Sequence, residues 1–533
     1  MRPRPGRSER LGELAAVLDA SGAPGMLEAS MPQGGRHRQL SPRTVLLGLM
    51  VAIDSGHPAQ LEQGHRALCE LELRDQIALG FAVVEGDDVC LATYRQFEDT
   101  FTVMVRQIDS SPVPSFKGVA DDDRAAHLHG FRAGIDATAR KDDLSAVADA
   151  LVEASVPARY KAASSSLAVD WTDHETWSRP RPLDDPQPAN DPDASFGHAK
   201  RNAPGAKDFL FFGYYAQVAT MVGDEGAGPV PELIRRIAFE APVVDPAGEM
   251  ASVVARAAKA GVVVSDVVGD CGYSNRDPAT WARPLRAAGA GLVVDLHPAD
   301  RGPKGDFEGA VLSGGCLYCP KTPVALLKLG PIRRGPSKDE ASAHNARYAE
   351  LARYRLSPLS APDRDGYQRL ICPAAAGKLR CPLKPSSLAL SAENPTLTGP
   401  APSDLPRCCS QKTITVPPQV SEKTRQKHPY PSKAWAASYA RRTASERSFA
   451  SLADPSTCGI RRGWSRLFGR TKNTIMYAIA VVVRNMRIVR SFERSAERAA
   501  KREAAGKAPL RRRRRYQPMP DKPVTGKRLD KPG

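Results

Sequence analysis

The chain has 533 residues, 41% of them hydrophobic and 25% charged, with a formal net charge of +17 and a pI near 9.5. This length predicts roughly two to four soluble globular domains, and the longest apolar run near the C-terminus, IMYAIAVVV at 475–483, falls far short of the roughly 20 residues that a membrane span requires. Solubility needs only a modest net charge, so an excess gathered in segments such as IRRGWSRLFGRTK, RNMRIVR and RRRRR favours a polyanionic partner, nucleic acid first and a membrane surface second.

The opening MRPRPGRSERLGE follows its charges with no apolar segment, so no secretory signal is expected. The ten cysteines are accordingly expected to be reduced, as core residues or metal ligands. Residues 1–130 are predicted to be mainly helical, because TVLLGLMVAI, LCELELRDQIALG and TYRQFEDTFTVMVRQI carry apolar residues at helical spacing. Such a domain could bind DNA ends, dimerise, or be no more than a helical bundle.

From about 160 the texture changes. SSLAVDW is a short apolar run ending in an acid. After the loop RPRPLDDPQPANDPDAS, FLFFGYYAQVATMV reads as a buried strand or hairpin. MASVVARAAKA suggests a helix, GVVVSDVVGD a strand, PATWARPLRAAGAG a helix and LVVDLH another strand. This alternation over 160–300 argues for α/β layers around a sheet. Between 300 and 425 Pro, Gly and Ser are frequent and six of the ten cysteines occur, which suggests an irregular or β-rich insertion. Helical texture returns over 430–495, and 505–533 reads as a disordered basic tail.

Two of the strand-like runs end in aspartate, LAVD at Asp170 and VVGDCGYSN at Asp270. The C-terminal ends of strands face the crevice where α/β proteins do their chemistry, although either residue alone is as readily a turn or cap aspartate. In YARRTASERSFASL the spacing of Tyr439, Arg442 and Glu446 puts all of them on one helix face. Taken alone, that spacing is a solvated Arg–Glu pair contributing roughly 0.2–0.5 kcal/mol. Taken with Asp170 and Asp270, it is different: converging carboxylates repel unless divalent cations lie between them, and an all-oxygen donor set suits Mg²⁺ or Mn²⁺. Two such ions roughly 3.5–4 Å apart support in-line displacement at phosphorus. Arg442 could grip a phosphate bidentately, and Tyr439 could offer its hydroxyl or stack on a base.

With these residues the chain resembles the DDE transposases of bacterial insertion sequences, in the insertion-sequence-four-like branch marked by a Tyr-x2-Arg-x3-Glu-x6-Lys signature. Tyr439, Arg442 and Glu446 match that signature, Asp270 in DCGYSN is similar to the second-aspartate motif, and Asp170 in LAVDWTDHETW is similar to the first. The resemblance covers about 165–300 and 430–490. Asp136 in GIDATARKDD is a second choice for the first aspartate, but the WTDHE flank and the distance to the FGYYAQ strand favour Asp170. Where the signature has lysine this chain has Ala453, so that DNA contact is absent or supplied by Arg447 or Arg461.

The resemblance implies an RNase H-like α/β core, a helical N-terminal domain, and a β or irregular insertion before the last catalytic helix. It implies that Asp170, Asp270 and Glu446 are catalytic acids binding Mg²⁺ or Mn²⁺, with Tyr439 and Arg442 as DNA contacts. Arg461, Arg462 and Lys472 are expected as backbone contacts. The implied activity is metal-dependent cleavage at transposon ends followed by strand transfer, without a covalent protein–DNA intermediate. The implied partners are double-stranded DNA ends and target, held by a homodimer in a synaptic complex in the bacterial cytoplasm at the nucleoid. The rival expectations are a nuclease of the same fold without strand transfer, and a decayed DNA-binding relic.

CLYCP, with Cys316 and Cys319, has the gap of a zinc knuckle, and with Cys372 and Cys381 it could hold a structural Zn²⁺. The alternative is a set of reduced, buried thiols. Adjacent Cys408 and Cys409 do not readily share one site. His198 in SFGHAKRN is expected at the surface or on DNA backbone, and His174 in a supporting or solvent role.

Overall fold

The computed structural model describes residues 7–508 apart from 33, 35–37, 183, 186, 200–208, 333–335 and 399–404; most of the tail expected over 505–533 therefore lies outside the described residues. The chain divides into two units, 1–488 and 489–533.

The N-terminal part of the first unit is built on Pro42–Asp54, a helix started by the Ser41 hydroxyl, which accepts from the Thr44 N–H at 3.2 Å, and by proline in its first turn. Val45 to Ile53 are buried, and helices Arg7–Ser21, Ala23–Ser30, Leu61–Cys69 and Tyr94–Arg106 pack around them. An exposed hairpin of β1 (Ala82–Glu85) and β2 (Asp88–Leu91) interrupts these helices; it was not expected from the sequence, because its strands bury only Ala82.

The central sheet has β3 (Ser166–Glu175), β4 (Ser195–Ala199), β5 (Phe209–Val222), β6 (Ile234–Glu240), β7 (Asp266–Gly269) and β8 (Gly291–Val294), in the order β4-β5-β3-β7-β8. β5 is one long strand rather than a hairpin: its first residues pair with β4 and its later ones with β6, both on the edge away from β3. β3 runs antiparallel to β5 and parallel to β7, which is parallel to β8. Because side chains alternate across a strand, Leu167 and Val169 face helices Pro246–Lys259 and Ala282–Ala287. Ala168 faces the other way, against Ala444 of helix Thr443–Ala453. On that same side the run Ile475–Val483 is at most 2% exposed, sandwiched between the sheet and the N-terminal helices. The architecture is thus mixed α/β, with helices on both faces of a mixed sheet.

The segment between about 300 and 425 carries two small three-stranded sheets. One is β9 (Pro303–Phe307), β10 (Ala310–Ser313) and β11 (Cys316–Tyr318); the other is β12 (Ser357–Pro358), β13 (Gln368–Ile371) and β14 (Thr413–Val416). Between them runs an unexpected helix, Lys338–Tyr354, opened by a capping box of Ser337 and Glu340. It buries only Leu351 and Tyr354, so it has no apolar periodicity for sequence reading to detect.

The second unit, described to residue 508, is the C-terminal part of helix Arg470–Ala504 and the turn that follows it. Within it Arg494 and Arg498 donate to carbonyls one turn back, at 3.2 and 3.1 Å.

Candidate active site

Asp170 lies within β3 on the face covered by helix Thr443–Ala453, and Asp270 directly follows β7, the parallel neighbour of β3. Asp270 caps the short turn Cys271–Ser274, its Oδ1 accepting from the Gly272 N–H at 2.8 Å. Trp171, next to Asp170, packs against the turn that Asp270 caps. Its indole meets Tyr273 edge-on at 4.4 Å and lies so close over Gly272 that a Cβ there would stand 2.5 Å from the ring. Tyr273 in turn stacks on Trp281 at 4.6 Å. Glycine in DCGY is therefore required by close packing rather than by turn conformation.

The third carboxylate arrives with helix Thr443–Ala453, whose first turn holds Glu446. Arg442, just before it, bridges the site: Nη1 donates to Asp170 Oδ2 and Nη2 to Glu446 Oε1, each at 2.7 Å. Ser445 adds a 3.3 Å hydrogen bond to the same Asp170 oxygen. The side chains of Arg442 and Asp170 are 13% and 14% exposed, whereas Glu446 is 40% exposed at the mouth. Burial, reinforced by the charge of Asp270 against the opposing pull of Arg442, pushes the Asp170 carboxyl up to about 6. Burial also works against the Arg442 charge, but Asp170, Tyr439, Glu446 and Asp270 outweigh it and hold the guanidinium above its ordinary range. The Nε of Arg442 is buried with no hydrogen-bond partner.

The helix that brings Arg442 and Glu446 is seated by a clamp of ions. Arg441 reaches Asp266 at 2.8 Å and Ser166 at 2.9 Å, and Lys427 meets Asp266 at 2.8 Å. Glu225, in the β5–β6 turn, accepts from Ser438 and from His428. Tyr439 stacks on Trp435 at 4.9 Å with rings nearly parallel, and the Trp435 indole donates to the Val294 carbonyl at the end of β8. Burial pushes the Tyr439 phenol above its ordinary range, against the pull of Arg442.

Asp170, Asp270, Tyr439, Arg442 and Glu446 are thus brought to one place, although Arg442, expected as a phosphate contact, is engaged with two of the acids. Arg461 and Arg462 are exposed on the loop after the Glu446 helix, where Arg462 lies 3.6 Å from Glu175. Lys472 is instead beside Asp109. Of the two residues expected to replace the signature lysine both are exposed, and Arg447 is paired with Glu232 at 2.8 Å. Asp136, the second choice for the first aspartate, caps helix Ala137–Ala154 by accepting from the Ala139 N–H. His174 is buried against Phe239 at 5.1 Å, and burial drops it to about 4; it is a neutral core residue. His198 is an exposed residue of β4.

Sequence reasoning missed Asp295. It follows β8 in LVVDLH with the same signal as Asp270, and it accepts from Tyr430 and Arg301, each at 3.1 Å. It also missed Ser445 and Arg441, neighbours of residues that it did single out.

The donors offered by Asp170, Asp270 and Glu446 are carboxylate oxygens only, which fits Mg²⁺ or Mn²⁺. A divalent cation there would also offset the cost of burying the Asp170 charge. As the side chains stand, among the described residues no three His, Cys, Asp or Glu are grouped to hold a metal, since Arg442 is inserted between Asp170 and Glu446. Comparison of the sequence with models of known protein families, with curated proteins and with solved structures gave no match.

Proposed function

We propose that this chain is a DDE-type transposase, cutting DNA at the ends of an insertion sequence and joining them to a target. The observation that carries this reading is the meeting of Asp170, Asp270 and Glu446, from three distant segments, around the single guanidinium of Arg442. The strand order β6-β5-β3-β7-β8, antiparallel through the first three and parallel through the last, supports an RNase H-like core with one acid within its central strand and one after the neighbouring strand. No helix among the described residues is long and apolar enough to cross a membrane.

Asp170, Asp270 and Glu446 would hold divalent cations, which supply Lewis-acid activation of the attacking oxygen and charge stabilisation of the leaving one. The chain's own residues do the rest. Arg442, released from Glu446, keeps one nitrogen on Asp170 and turns the other, with its unpartnered Nε, to a phosphate oxygen. Tyr439, held neutral by burial and fixed by Trp435, keeps its hydroxyl as a donor. The exposed Arg461 and Arg462 and the strongly basic C-terminal sequence supply backbone affinity. A homodimer would synapse two ends.

The test is Mg²⁺- or Mn²⁺-dependent cleavage of a labelled duplex carrying the element's own ends. Wild type should cut, while Asp170→Asn, Asp270→Asn and Glu446→Gln should bind the duplex and fail to cut. Cleavage retained in any of them removes that residue from the site. A wild type that binds and never cuts favours the DNA-binding relic, to which Ala453 already points; cutting without joining favours a nuclease.

A further inference from the structure

In the 300–425 segment three cysteines are each followed by proline: Cys319-Pro320, Cys372-Pro373 and Cys381-Pro382. Two of these form the same turn. The Thr322 N–H donates to the Cys319 carbonyl and the Lys384 N–H to the Cys381 carbonyl, each at 3.0 Å, with proline at the second turn position, where its fixed φ suits a β-turn. Burial pushes the Cys319 and Cys381 thiols up, and in both turns the amide of the residue after proline, Lys321 or Leu383, opposes that shift from beside the sulfur. An amide aimed at sulfur stabilises a thiolate more than a thiol, and such contacts orient metal-bound ligands.

Cys319, Cys372, Cys381 and Cys409 line one small cavity of about 20 Å³, room for roughly one water-sized atom, walled elsewhere by Pro373, Leu379 and Leu397. Cys316 is not among them; it faces Tyr318 and Arg355. Cys408 is buried in a second small core with Ala310 and Ile414; its neighbour Cys409 packs against that core and also lines the cavity. Lys384 also lines the cavity; the contact of Cys409 with the Cys408 sulfur at 3.9 Å, and after it the charges of Lys384 and Lys321, lower the Cys409 thiol against burial. The flanking apolar cores are small and the strands run two to five residues, so this segment has little packing with which to hold cysteine-bearing loops together.

We propose that Cys319, Cys372, Cys381 and Cys409 bind one structural Zn²⁺ that ties the loop after β11, the two loops after β13 and the turn before β14 into one subdomain. Four thiolates are a closed zinc donor set, and the small space they line suits a single ion. The sulfurs surround the space without yet standing in coordinating geometry; binding draws them in as four protons leave to solvent. The proposal replaces Cys316 of the sequence-based set with Cys409, and it does not rest on the transposase reading: a chain that binds zinc and never cuts DNA leaves it intact.

The test is metal content of the purified full-length chain. Wild type and Glu446→Gln should carry one zinc per chain, as should Cys316→Ser and Cys408→Ser, whereas Cys372→Ser and Cys409→Ser should carry almost none. Because a ligand variant could fail to fold, folded wild type is also titrated with a mercurial; zinc should be released as four thiols react. A wild type grown with zinc that holds none, iron in its place, zinc retained by Cys409→Ser, or zinc lost from Cys316→Ser would each overturn the assignment.

Discussion

The acidic site and the cysteine-lined cavity are held together in opposite ways. Asp170 lies in, and Asp270 directly follows, two neighbouring strands of a six-stranded sheet with helices on both faces, and the turn carrying Arg442, which leads into the helix carrying Glu446, is fastened to that sheet by ions. A packed core can carry like charges side by side, because the surrounding elements resist being pushed apart. The cysteines sit on turns between short strands over small apolar clusters, where covalent or coordinate bonds have to replace packing. The difference predicts distinct sensitivities: the first site to charge and packing, the second to thiol reagents and zinc removal.

The largest effect should come from Arg442→Ala. It leaves the buried Asp170 carboxylate beside Asp270 with no counter-charge, and breaking a buried pair from one side costs about 3–5 kcal/mol. In chelator the variant should melt well below wild type, and Mn²⁺ should recover part of the loss, more than it stabilises wild type. Zinc should not replace Mn²⁺ in this, nor Mn²⁺ replace zinc in the cysteine variants. An Arg442→Ala protein as stable as wild type in chelator would mean that the guanidinium is not what balances these acids.

The two sites also differ in how far the sequence revealed them. Asp170 and Asp270 were legible because an apolar run ending in Asp marks a strand and its end together, and Glu446 because helical spacing tied it to Arg442. What could not be read was pairing: that Arg442 takes Asp170 across 272 positions of chain is a tertiary fact with no local trace. Asp295 carried the same local signal and was passed over for want of a motif beside it. Of the sheet, β3, β5, β7 and β8 were visible as apolar runs; β6 was hidden because its sequence, IRRIAFE, buries two arginines that are explained by ion pairs with the distant Glu153 and Asp149. Cys409 was hidden by adjacency. On the short helix Arg407–Ser410 consecutive side chains point about 100° apart, so although the two sulfurs are 3.9 Å apart only Cys409 lines the cavity, and two neighbours need not both be ligands for one of them to be.

A smaller effect should follow Gly272→Ala, which asks whether the aspartates are spaced by packing. The new Cβ would meet Trp171 Cη2 at 2.5 Å and Asp270 Oδ1 at 3.0 Å, and a rigid indole wedged against Tyr273 cannot yield cheaply. Overpacking of this kind costs about 1–3 kcal/mol, and displacing Asp270 relative to Asp170 should lower cleavage about 10²-fold while DNA affinity is kept. Full activity in Gly272→Ala would show that the Trp171 contact does not set the spacing. Zinc content should be unchanged, since the contact lies wholly within the sheet region.

The smallest effect concerns the clamp. Burial works against the Glu225 carboxylate, but the hydrogen bonds from Ser438 and His428 and the charges of His428 and Lys427 overcome it and hold the group at about 2, below its ordinary 4.5. With the folded value depressed, the native state releases this proton more readily than the unfolded chain, so the stabilisation is fully present above about pH 4.5 and is lost as pH falls toward 2. The side chain is 31% exposed, so water screens part of the interaction and Glu225→Gln should cost only about 1 kcal/mol at neutral pH. Denaturant midpoints of wild type and variant should therefore differ at pH 6–7 and converge as pH is lowered below 4.5. A gap constant down to pH 3 would mean that Glu225 holds the helix by shape. Added salt should narrow the gap at neutral pH, whereas the loss of stability on removing zinc should be indifferent to it, because a coordinate bond is not screened.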